Sequence, residues 1–311
     1  MSISSIIMNI DKRNLPKPLL KWVGGKQKHI EHIINGFPSE MNNYHEPFVG
    51  GGSVLLSLLW AKKNGIINVA GDIFACDLNE SLICTYENIK VKPQELHERF
   101  TLIIEEYHGI IEARGNQKPM SDEEGLSSKE SYYYWIRKKF NQQEDKSTII
   151  ASAYFIFLNK TGFRGMYREG PNGMNIPYGH YENIVFTLEG LLSISELLQP
   201  VTFIHCDFSQ AISETEDNDF LYLDPPYAPE NDTSFVEYTK DGFDIEQHKN
   251  LFAMCNDVSQ KAKLMMSNAN VPLIREYFNE DVYHYKVISC RRAINSTNPG
   301  AMAEEVVITN Y

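Results

Sequence analysis

The stretch from residue 44 to residue 60 reads YHEPFVGGGSVLLSLLW, and it sets the first expectation for the fold. It begins as a short strand, turns at three glycines, Gly50 to Gly52, and continues as the start of a helix. Glycines at such a turn let the backbone pass close to a ligand at the helix N-terminus. Asp77 follows Gly52 by 25 positions, at the end of the next predicted strand. A carboxylate there is typical of one that binds ribose hydroxyls, so the pattern indicates either a nucleoside site or a tight turn with a solvated aspartate.

Short apolar runs return in the last third of the chain, at Val201 to His205, Phe220 to Leu223 and Leu264 to Met266. Their length suits buried parallel strands. Residues 282–290 and 304–309 carry Val, Ile and Tyr, and we expect them to close the sheet as a hairpin. Strands that alternate with helices predict an α/β fold with a mostly parallel sheet.

The middle third of the chain breaks this alternation. Residues 115–131 are polar and predict a loop, whereas the apolar residues 149–158 predict a buried helix. Residues 159–181 are rich in Gly, Arg, Asn and Tyr and have no clear period. We interpret the middle third as a second domain that is inserted into the first.

A second motif, Asp224-Pro225-Pro226-Tyr227, follows the predicted strand Phe220 to Leu223, at the strand end where open α/β sheets bind ligands. The prolines make the backbone rigid and remove two N–H donors, so their carbonyls remain as fixed acceptors. A carboxylate and a carbonyl beside an aromatic face suit a planar ring with an exocyclic amine. Two acceptors would take the two amine protons and turn the nitrogen lone pair toward an electrophile. The alternative is a proline turn with a tyrosine in the core.

The composition is that of a soluble globular protein, with 42% hydrophobic and 23% charged residues in a chain of 311. No apolar run reaches the roughly 18 residues needed to span a bilayer, so we expect no membrane partner. Five scattered cysteines lack the spacing of a zinc site or a disulfide framework, which favours a reduced, intracellular protein without a metal. The net charge of -12 argues against non-specific binding to polyanions. The N-terminal arm is nevertheless basic: its first 30 residues hold Asp11 and the six cations Lys12, Arg13, Lys17, Lys21, Lys26 and Lys28.

Taken in order, the motifs resemble those of the Dam-type (D12 class) DNA N6-adenine methyltransferases, a family that uses S-adenosylmethionine. The resemblance covers most of the chain. The matching segments are KWVGGK at 21–26, EPFVGGGS at 46–53, DLN at 77–79, FLNKTGFRGMYR at 157–168, NIPYGHY at 175–181, DF at 207–208 and DPPY at 224–227.

The resemblance implies a role for each matched residue. The methionine end of the cofactor would contact Trp22 and Lys26, and its ribose would bind Asp77. The floor of the cofactor site would be Phe48 and Gly50, with Gly52 in the same turn. The adenine of the cofactor would contact Asp207 and Phe208. The target adenine would be held by Asp224, Pro225, Pro226 and Tyr227, with Asp224 also bordering the cofactor. Contacts to DNA would come from Lys21, Phe163, Met166, Arg168, Pro177 and Tyr181. We add Lys160 and Arg164 for their positive charge in the same segment, not from the resemblance.

Residues 159–181, which we call the recognition segment, also support a role in DNA binding through their residue types. A base must leave the stack before its amine can be reached, and Phe163 is a suitable side chain to fill the gap. Arg168 can form a bidentate contact with guanine O6 and N7. Interleaved basic and aromatic residues in 159–168 suit phosphate contact and stacking, with a solvated loop as the alternative.

The match to the family is incomplete at the residues that read the sequence. Relatives that methylate GATC often carry Tyr, Asn and Leu where this chain has Phe163, Arg164 and Met166. Arg168 is shared, so a guanine immediately 5′ to the adenine is expected. GATC is the leading hypothesis for the complete site.

We therefore predict a Rossmann-like α/β methyltransferase with a seven-stranded sheet, mostly parallel, into which the last strand is inserted antiparallel. Residues 1–85 and 198–311 would form the catalytic domain, and residues 86–197 a mostly helical target-recognition domain. The predicted reaction moves a methyl group from S-adenosylmethionine to N6 of adenine in duplex DNA, without a metal. A methyltransferase for RNA or a protein glutamine and a catalytically silent DNA-binding module are the alternatives. A cognate restriction endonuclease stays open as a partner, and a monomer is expected.

Overall fold

The computed structural model describes residues 10–111, 115–181, 183–229, 243–291 and 302–311. Its strands, in chain order, are β1 (Glu40–Met41), β2 (Tyr44–Glu46), β3 (Asn68–Val69), β4 (Ile73–Asp77), β5 (Glu169–Gly170), β6 (Gly173–Met174), β7 (Val201–His205), β8 (Phe220–Leu223), β9 (Lys263–Ala269), β10 (His284–Arg291) and β11 (Met302–Thr309). Seven of them form the central sheet, in the order β10-β11-β9-β8-β2-β4-β7. Two small pairs, β1 with β3 and β5 with β6, lie outside it.

The sheet has the predicted mixture of strand directions. Strands β7, β4, β2, β8 and β9 are parallel to one another. Strand β11 enters between β9 and β10 and runs antiparallel to both. The predicted hairpin and the antiparallel last strand are therefore confirmed.

Both faces of the sheet are covered, which explains why its central strands are short apolar runs without polar alternation. All four residues of β8 are buried. Phe220 and Tyr222 belong to one apolar cluster, and Leu221 and Leu223 belong to the other, because alternate residues of a strand point to opposite faces.

The described helices are α1 (Ile30–Ile34), α2 (Ser53–Lys63), α3 (Glu80–Val91), α4 (Pro93–Gly109), α5 (Asp122–Gly125), α6 (Lys129–Asn141), α7 (Ile149–Thr161), α8 (Leu188–Leu198), α9 (Phe208–Ser213), α10 (Ile245–Val258) and α11 (Pro272–Tyr277). Short 3-10 turns occur at Lys12–Asn14, Lys26–Lys28 and Phe163–Gly165. None of the helices within the described ranges is long and apolar enough to cross a lipid bilayer.

Two local predictions in the middle third had different outcomes. The apolar residues 149–158 are helical, as predicted, within α7. The loop predicted for 115–131 is wrong for part of its length, because α5 and the start of α6 lie there. Ser121 and Ser128 cap these two helices by accepting backbone N–H bonds, and such caps start a helix even in a polar segment.

The helices of the middle third share a core with the sheet. Helices α4, α6 and α7 pack against one another, and α3 contacts α7, α8 and strand β7. Tyr107, Tyr132 and Phe157 from these helices lie in the same apolar cluster as Tyr44 of β2. The segment 159–181 therefore starts from a helix that is anchored in the main core.

Candidate active site

The candidate site lies at the carboxyl edge of the sheet, between β2 and β8. From β2 the chain moves outward to β4 and β7, and it then returns to the other side of β2 as β8. Such a reversal of strand order opens a crevice, because the loops after the two central strands diverge. The glycine turn follows β2, and Asp224 follows β8, so both predicted motifs border the same crevice.

The glycine turn is tightly packed against Trp22. Gly50 has φ +46°, and a Cβ on it would lie 2.8 Å from Cδ1 of Trp22. Gly52 has φ +70°, and a Cβ there would lie 2.7 Å from the hydroxyl of Tyr86. Both positions therefore need glycine for backbone angle and for space. The predicted residues Trp22, Gly50 and Gly52 are thus brought together in one cradle.

Asp77 joins the end of β4 to the glycine turn. Its carboxylate accepts the N–H of Gly50 at 3.0 Å and the N–H of Asn79 at 3.0 Å. Burial raises the pKa of Asp77, and these two N–H groups act against that rise. The hydroxyl of Tyr86 donates to the carbonyl of Gly50 at 2.9 Å, so the turn is held from both sides.

An aromatic wall stands beside the turn. Phe48 and Phe208 stack with ring centroids 5.7 Å apart, and Phe243 contacts both rings. Asp207 caps α9, because its Oδ1 accepts from the N–H of Ser209 at 2.9 Å and from its hydroxyl at 2.6 Å. Sequence reasoning selected Phe48, Asp207 and Phe208 but missed Phe243, which is distant in sequence and carries no motif.

Asp224 is paired with Lys26. The Nζ of Lys26 lies 2.7 Å from Oδ1 of Asp224, and their side chains are only 5% and 19% exposed. The same Nζ donates to the carbonyl of Gly24 at 2.7 Å and lies 4.9 Å from the centroid of the Tyr227 ring. Burial raises the pKa of Asp224, and the Lys26 ammonium offsets part of that rise. The Lys26 ammonium thus favours the ionised form of Asp224, and burial opposes it.

The residues that follow Asp224 are held by two groups that the sequence analysis did not select. The Tyr227 hydroxyl donates to Oε2 of Glu305 at 3.0 Å, and the N–H of Ala228 donates to Oδ1 of Asn268 at 2.9 Å. Burial, with Asp224 and Glu305 nearby, raises the pKa of Tyr227 well above its ordinary value, so the hydroxyl stays protonated. Pro225 is buried and Pro226 is exposed.

A buried acid lies at the end of β2, under the crevice. Glu46 is 2% exposed, and its Oε2 accepts from the hydroxyl of Tyr44 at 2.7 Å. Burial raises the pKa of Glu46 to about 8; the Tyr44 hydroxyl opposes this rise, and the charge of Asp224 adds to it. Glu46 is therefore largely protonated at neutral pH, while Asp224 has a cation beside it.

The N-terminal arm is bound to the recognition segment through Asn159. The amide of this buried residue accepts the N–H of Lys21 at 2.9 Å and donates to the carbonyl of Lys21 at 2.7 Å. The Lys21 ammonium donates to the carbonyl of Lys160 at 3.1 Å and lies 3.8 Å from the centroid of the Tyr181 ring. Burial and the neighbouring Lys21 lower the pKa of Lys160 to about 8. The predicted residues Lys21, Lys160 and Tyr181 are thus adjacent.

The two recognition motifs pair with each other. The N–H of Phe163 donates to the carbonyl of Pro177 at 2.9 Å, and the N–H of Gly179 donates to the carbonyl of Thr161 at 2.8 Å. Arg164 has φ 56°, and its N–H donates to the Tyr181 hydroxyl at 3.2 Å. The Phe163 side chain is 44% exposed at this tip.

Arg168 and Met166 have different surroundings. The exposed Arg168 donates through Nε to Oδ1 of Asn175 at 2.7 Å, next to the β5–β6 hairpin. Met166 is half-buried and packs against the main core. Tyr167 between them stacks on Trp22 with 6.2 Å between ring centroids, so the recognition segment touches the cradle of the glycine turn.

The polar groups of the crevice define the kind of ligand that it can take. Within the described ranges, no group of three or more His, Cys, Asp or Glu side chains has a metal-binding arrangement. The possible ligand-binding groups of the described crevice include the carboxylates of Asp77, Asp207 and Asp224, the Lys26 ammonium, fixed carbonyls and aromatic faces. These hydrogen-bond acceptors suit a ligand whose hydroxyl groups and amine donate, and the aromatic faces suit an aromatic base.

Comparison with known proteins agrees with this arrangement. The model of the D12 class N6 adenine-specific DNA methyltransferases matches residues 22–294. The Type II methyltransferase M.MjaIII of Methanocaldococcus jannaschii is 34% identical over 95% of this chain and 99% of its own length. The Type II methyltransferase M1.LlaDCHI of Lactococcus lactis subsp. cremoris is 30% identical, with 98% and 99% covered. A DNA adenine methylase of Haemophilus influenzae is 28% identical, with 91% and 89% covered.

The family match therefore extends from the KWVGGK motif, across the glycine turn and the recognition segment, to the end of β10. Relatives at 30% identity or more cover nearly the whole chain. The chain belongs to the D12 class of N6 adenine-specific DNA methyltransferases, and it is an adenine-specific DNA methyltransferase with a mostly parallel α/β sheet.

Proposed function

We propose that this enzyme moves a methyl group from S-adenosylmethionine to N6 of an adenine that has been flipped out of duplex DNA. The observation that carries the proposal is the shared crevice between β2 and β8. It brings the glycine turn and Asp77 to one side and Asp224 with Tyr227 to the other. A nucleoside-bearing donor and an adenine acceptor would thus meet between two sets of rigid acceptors.

The cradle around Gly50 fits the cofactor. A Cβ at Gly50 would collide with Trp22, so the backbone itself forms the floor on which a ligand would lie. Asp77 accepts two N–H bonds, and a carboxylate has about four lone-pair sites, so it can also accept ribose hydroxyls. When bound, S-adenosylmethionine supplies an electrophilic methyl carbon on its sulfonium. The remaining cofactor contacts would come from Lys26, Phe48, Gly52, Asp207 and Phe208.

The residues of the DPPY motif would bind the target amine. Asp224 and the carbonyl of Pro225 would accept its two protons, and the Tyr227 ring would stack on the base. The nitrogen lone pair would then point out of the ring system toward the methyl carbon. The N–C bond would form as the bond between the methyl carbon and the sulfonium sulfur breaks, which leaves S-adenosylhomocysteine as the product. The surplus proton of the amine would then pass to Asp224 or to water. Lys26 would keep the Asp224 carboxylate ionised, and therefore an acceptor, until that point.

The recognition segment would read and distort the DNA. Phe163 is exposed at the tip of the paired motifs and would fill the gap that the flipped base leaves. Arg168 would contact the guanine 5′ to the adenine. Lys21, Lys160, Arg164, Met166, Pro177 and Tyr181 would complete the surface, although Met166 would reach DNA only with part of its side chain because it packs on the core.

We further propose that residues 86–197 form the target-recognition domain and that residues 1–85 and 198–311 form the catalytic domain, as expected from the sequence. GATC is the recognition site proposed first. Two relatives carry names of Type II methyltransferases, which supports a cognate restriction endonuclease as a genetic partner of this enzyme.

The test of this function uses the purified chain, radiolabelled S-adenosylmethionine and a panel of short duplexes. One duplex contains GATC, others change one base of it, and one replaces the adenine. Label in GATC alone would establish the site, and label in several GA-containing duplexes would retain the function with a shorter site. No label in any duplex while the cofactor binds would refute it, and RNA and protein glutamine acceptors would be tested next.

The mechanism is tested by Asp224→Ala. We expect kcat to fall more than about a hundredfold, because a fixed charged acceptor for the amine is lost. Cofactor affinity, measured by calorimetry, should stay close to that of the native enzyme. The matched control is Asp217→Ala, an exposed aspartate in the loop before β8. Native turnover in the Asp224 variant would refute the mechanism.

A further inference from the structure

The C-terminal strand reaches the catalytic motif through one side chain. In the register of the sheet, Glu305 on β11 lies opposite Ala269 of β9 and Ile288 of β10. The residues before and after it in the chain differ in solvent exposure, because Glu304 is exposed and Val306 is fully buried. Consecutive residues of a strand point to opposite faces, so only one of the two adjacent glutamates can face the crevice. That residue is Glu305.

The contact of Glu305 is with the stacking residue of the site. Its Oε2 accepts the hydroxyl of Tyr227 at 3.0 Å. Next in the chain, the N–H of Ala228 is held by Asn268 at 2.9 Å, which fixes the backbone but not the ring. The ring torsion of a tyrosine is broad and roughly two-fold, so backbone contacts alone leave the ring free to rock. A bond at the hydroxyl, the far end of the ring, removes that freedom.

We propose that Glu305 is a positioning residue for methyl transfer, whose carboxylate holds the Tyr227 hydroxyl and thereby sets the plane on which the target adenine stacks. This inference rests on the proposed function. The Tyr227 hydroxyl suits the task, because it is protonated and donates a charge-assisted bond. The face of the same ring meets the Lys26 ammonium at 4.9 Å, so both the edge and the face of the ring are held by charged groups. Small tilts of a stacking surface matter, since productive geometry tolerates only about 10–20°.

The experiment is a double-mutant cycle with Glu305→Ala, Tyr227→Phe and the combination of both. We expect each single variant to lower kcat by about tenfold, the value of one charged hydrogen bond. The double variant should lose little more than either single variant, because both substitutions break the same bond. Cofactor affinity should change by less than about twofold, because neither group belongs to the proposed cofactor cradle.

Glu305→Gln and Glu304→Gln are the matched controls. Glutamine at 305 keeps an oxygen acceptor, so it should restore most of kcat, whereas Glu304→Gln should behave like the native enzyme. Additive losses in the cycle, or an alanine variant with native kcat, would overturn the proposal. If the alanine variant unfolds at the assay temperature, Tyr227→Phe breaks the same bond, and native kcat there has the same meaning. Methylation of duplex DNA by the native enzyme tests the proposed function separately.

Discussion

At the scale of single residues, two buried acids of the crevice have nearest neighbours of different charge. Asp224 has the Lys26 ammonium 2.7 Å away, whereas the main partner of Glu46 is a neutral tyrosine hydroxyl. Burial raises the pKa of both carboxyls, but only Asp224 has a cation that offsets the rise. The nearest neighbour of each carboxyl therefore decides whether anything offsets the effect of burial on its pKa.

Replacing Lys26 by glutamine should move the acid limb of the pH profile of kcat/KM to higher pH. The ammonium lowers the pKa of Asp224, so its loss raises that pKa, and the ionised acceptor then disappears at a higher pH as the solution is acidified. Among the described residues, the charged or titratable groups near Asp224 include Lys26, Glu46, Glu305, Tyr222 and Tyr227. Initial rates measured between about pH 5 and about pH 9 test this, with kcat/KM reporting the free enzyme. The exposed Lys28→Gln is the control, and an acid limb that coincides with the native one would contradict the expectation.

At the scale of elements, the turn between β2 and α2 depends on a contact with a distant segment. Gly50 needs glycine for its positive φ, and it needs the space as well because Trp22 lies against it. The same Trp22 stacks on Tyr167 of the recognition segment. The position of a cofactor bound on this turn would therefore be coupled, through Trp22, to the positions of the N-terminal arm and the recognition segment.

Gly50→Ala should weaken cofactor binding much more than its backbone strain alone would suggest. An alanine at positive φ costs about 1–2 kcal/mol, and at Gly50 the new methyl must also displace the Trp22 ring. Gly65→Ala is a matched control, since Gly65 has φ +68° but no described atom within 4 Å of the position that a Cβ would take there. We expect both variants to melt at lower temperature, and only Gly50→Ala to raise the Kd for S-adenosylmethionine. Equal Kd values in the two variants would contradict the role of Trp22.

Asn159→Ala should weaken the contact between the N-terminal arm and α7. The substitution leaves the N–H and the carbonyl of Lys21 without their side-chain partner. Both bonds are part-buried, so we expect a loss of about 1 kcal/mol per bond. Thermal melting should show the loss of stability, and the KM for duplex DNA should rise because Lys21 is displaced. Asn159→Asp keeps an acceptor but loses the donor, so an intermediate effect is expected. A rise in KM without any change in melting would argue against this account.

At the scale of the whole molecule, the buried Glu46 makes stability depend on pH. Burial raises its pKa from 4.5 to about 8, so the folded state binds more protons than the unfolded state between these values. The stabilising contribution is complete below the unfolded pKa and is lost as pH rises through the folded pKa. The titratable groups near Glu46 among the described residues include Tyr44, Asp77, Asp224, Cys76, Tyr86 and Tyr222.

Glu46→Gln should therefore flatten the pH dependence of stability. The amide keeps an acceptor for the Tyr44 hydroxyl but does not titrate. Urea denaturation midpoints of the native enzyme should fall between about pH 5 and about pH 8, while those of the variant should fall less. Parallel curves for the two proteins would refute the assignment.

Local signals in the sequence were enough to predict several of the main elements and to locate two motifs at strand ends. Apolar runs too short for helices predicted β7, β8 and β9, and a glycine turn and DPPY placed polar groups at strand ends. These signals are local, because strand length, turn glycines and proline rigidity depend on neighbouring residues. The polar segment at 115–131 failed as a local prediction because serine caps outweighed its loop-like composition.

The contacts between side chains that are far apart in sequence became visible only in the tertiary structure. Glu305, Asn268 and Asn159 hold the catalytic and recognition segments, and Trp22 closes the glycine turn, yet each partner is far away in sequence. The order of strands in the sheet brings β11 within reach of Tyr227, because β11 lies next to β9 and β9 lies next to β8. Such contacts carry no periodicity or motif, because they follow from the path of the whole chain and not from the residues next to them.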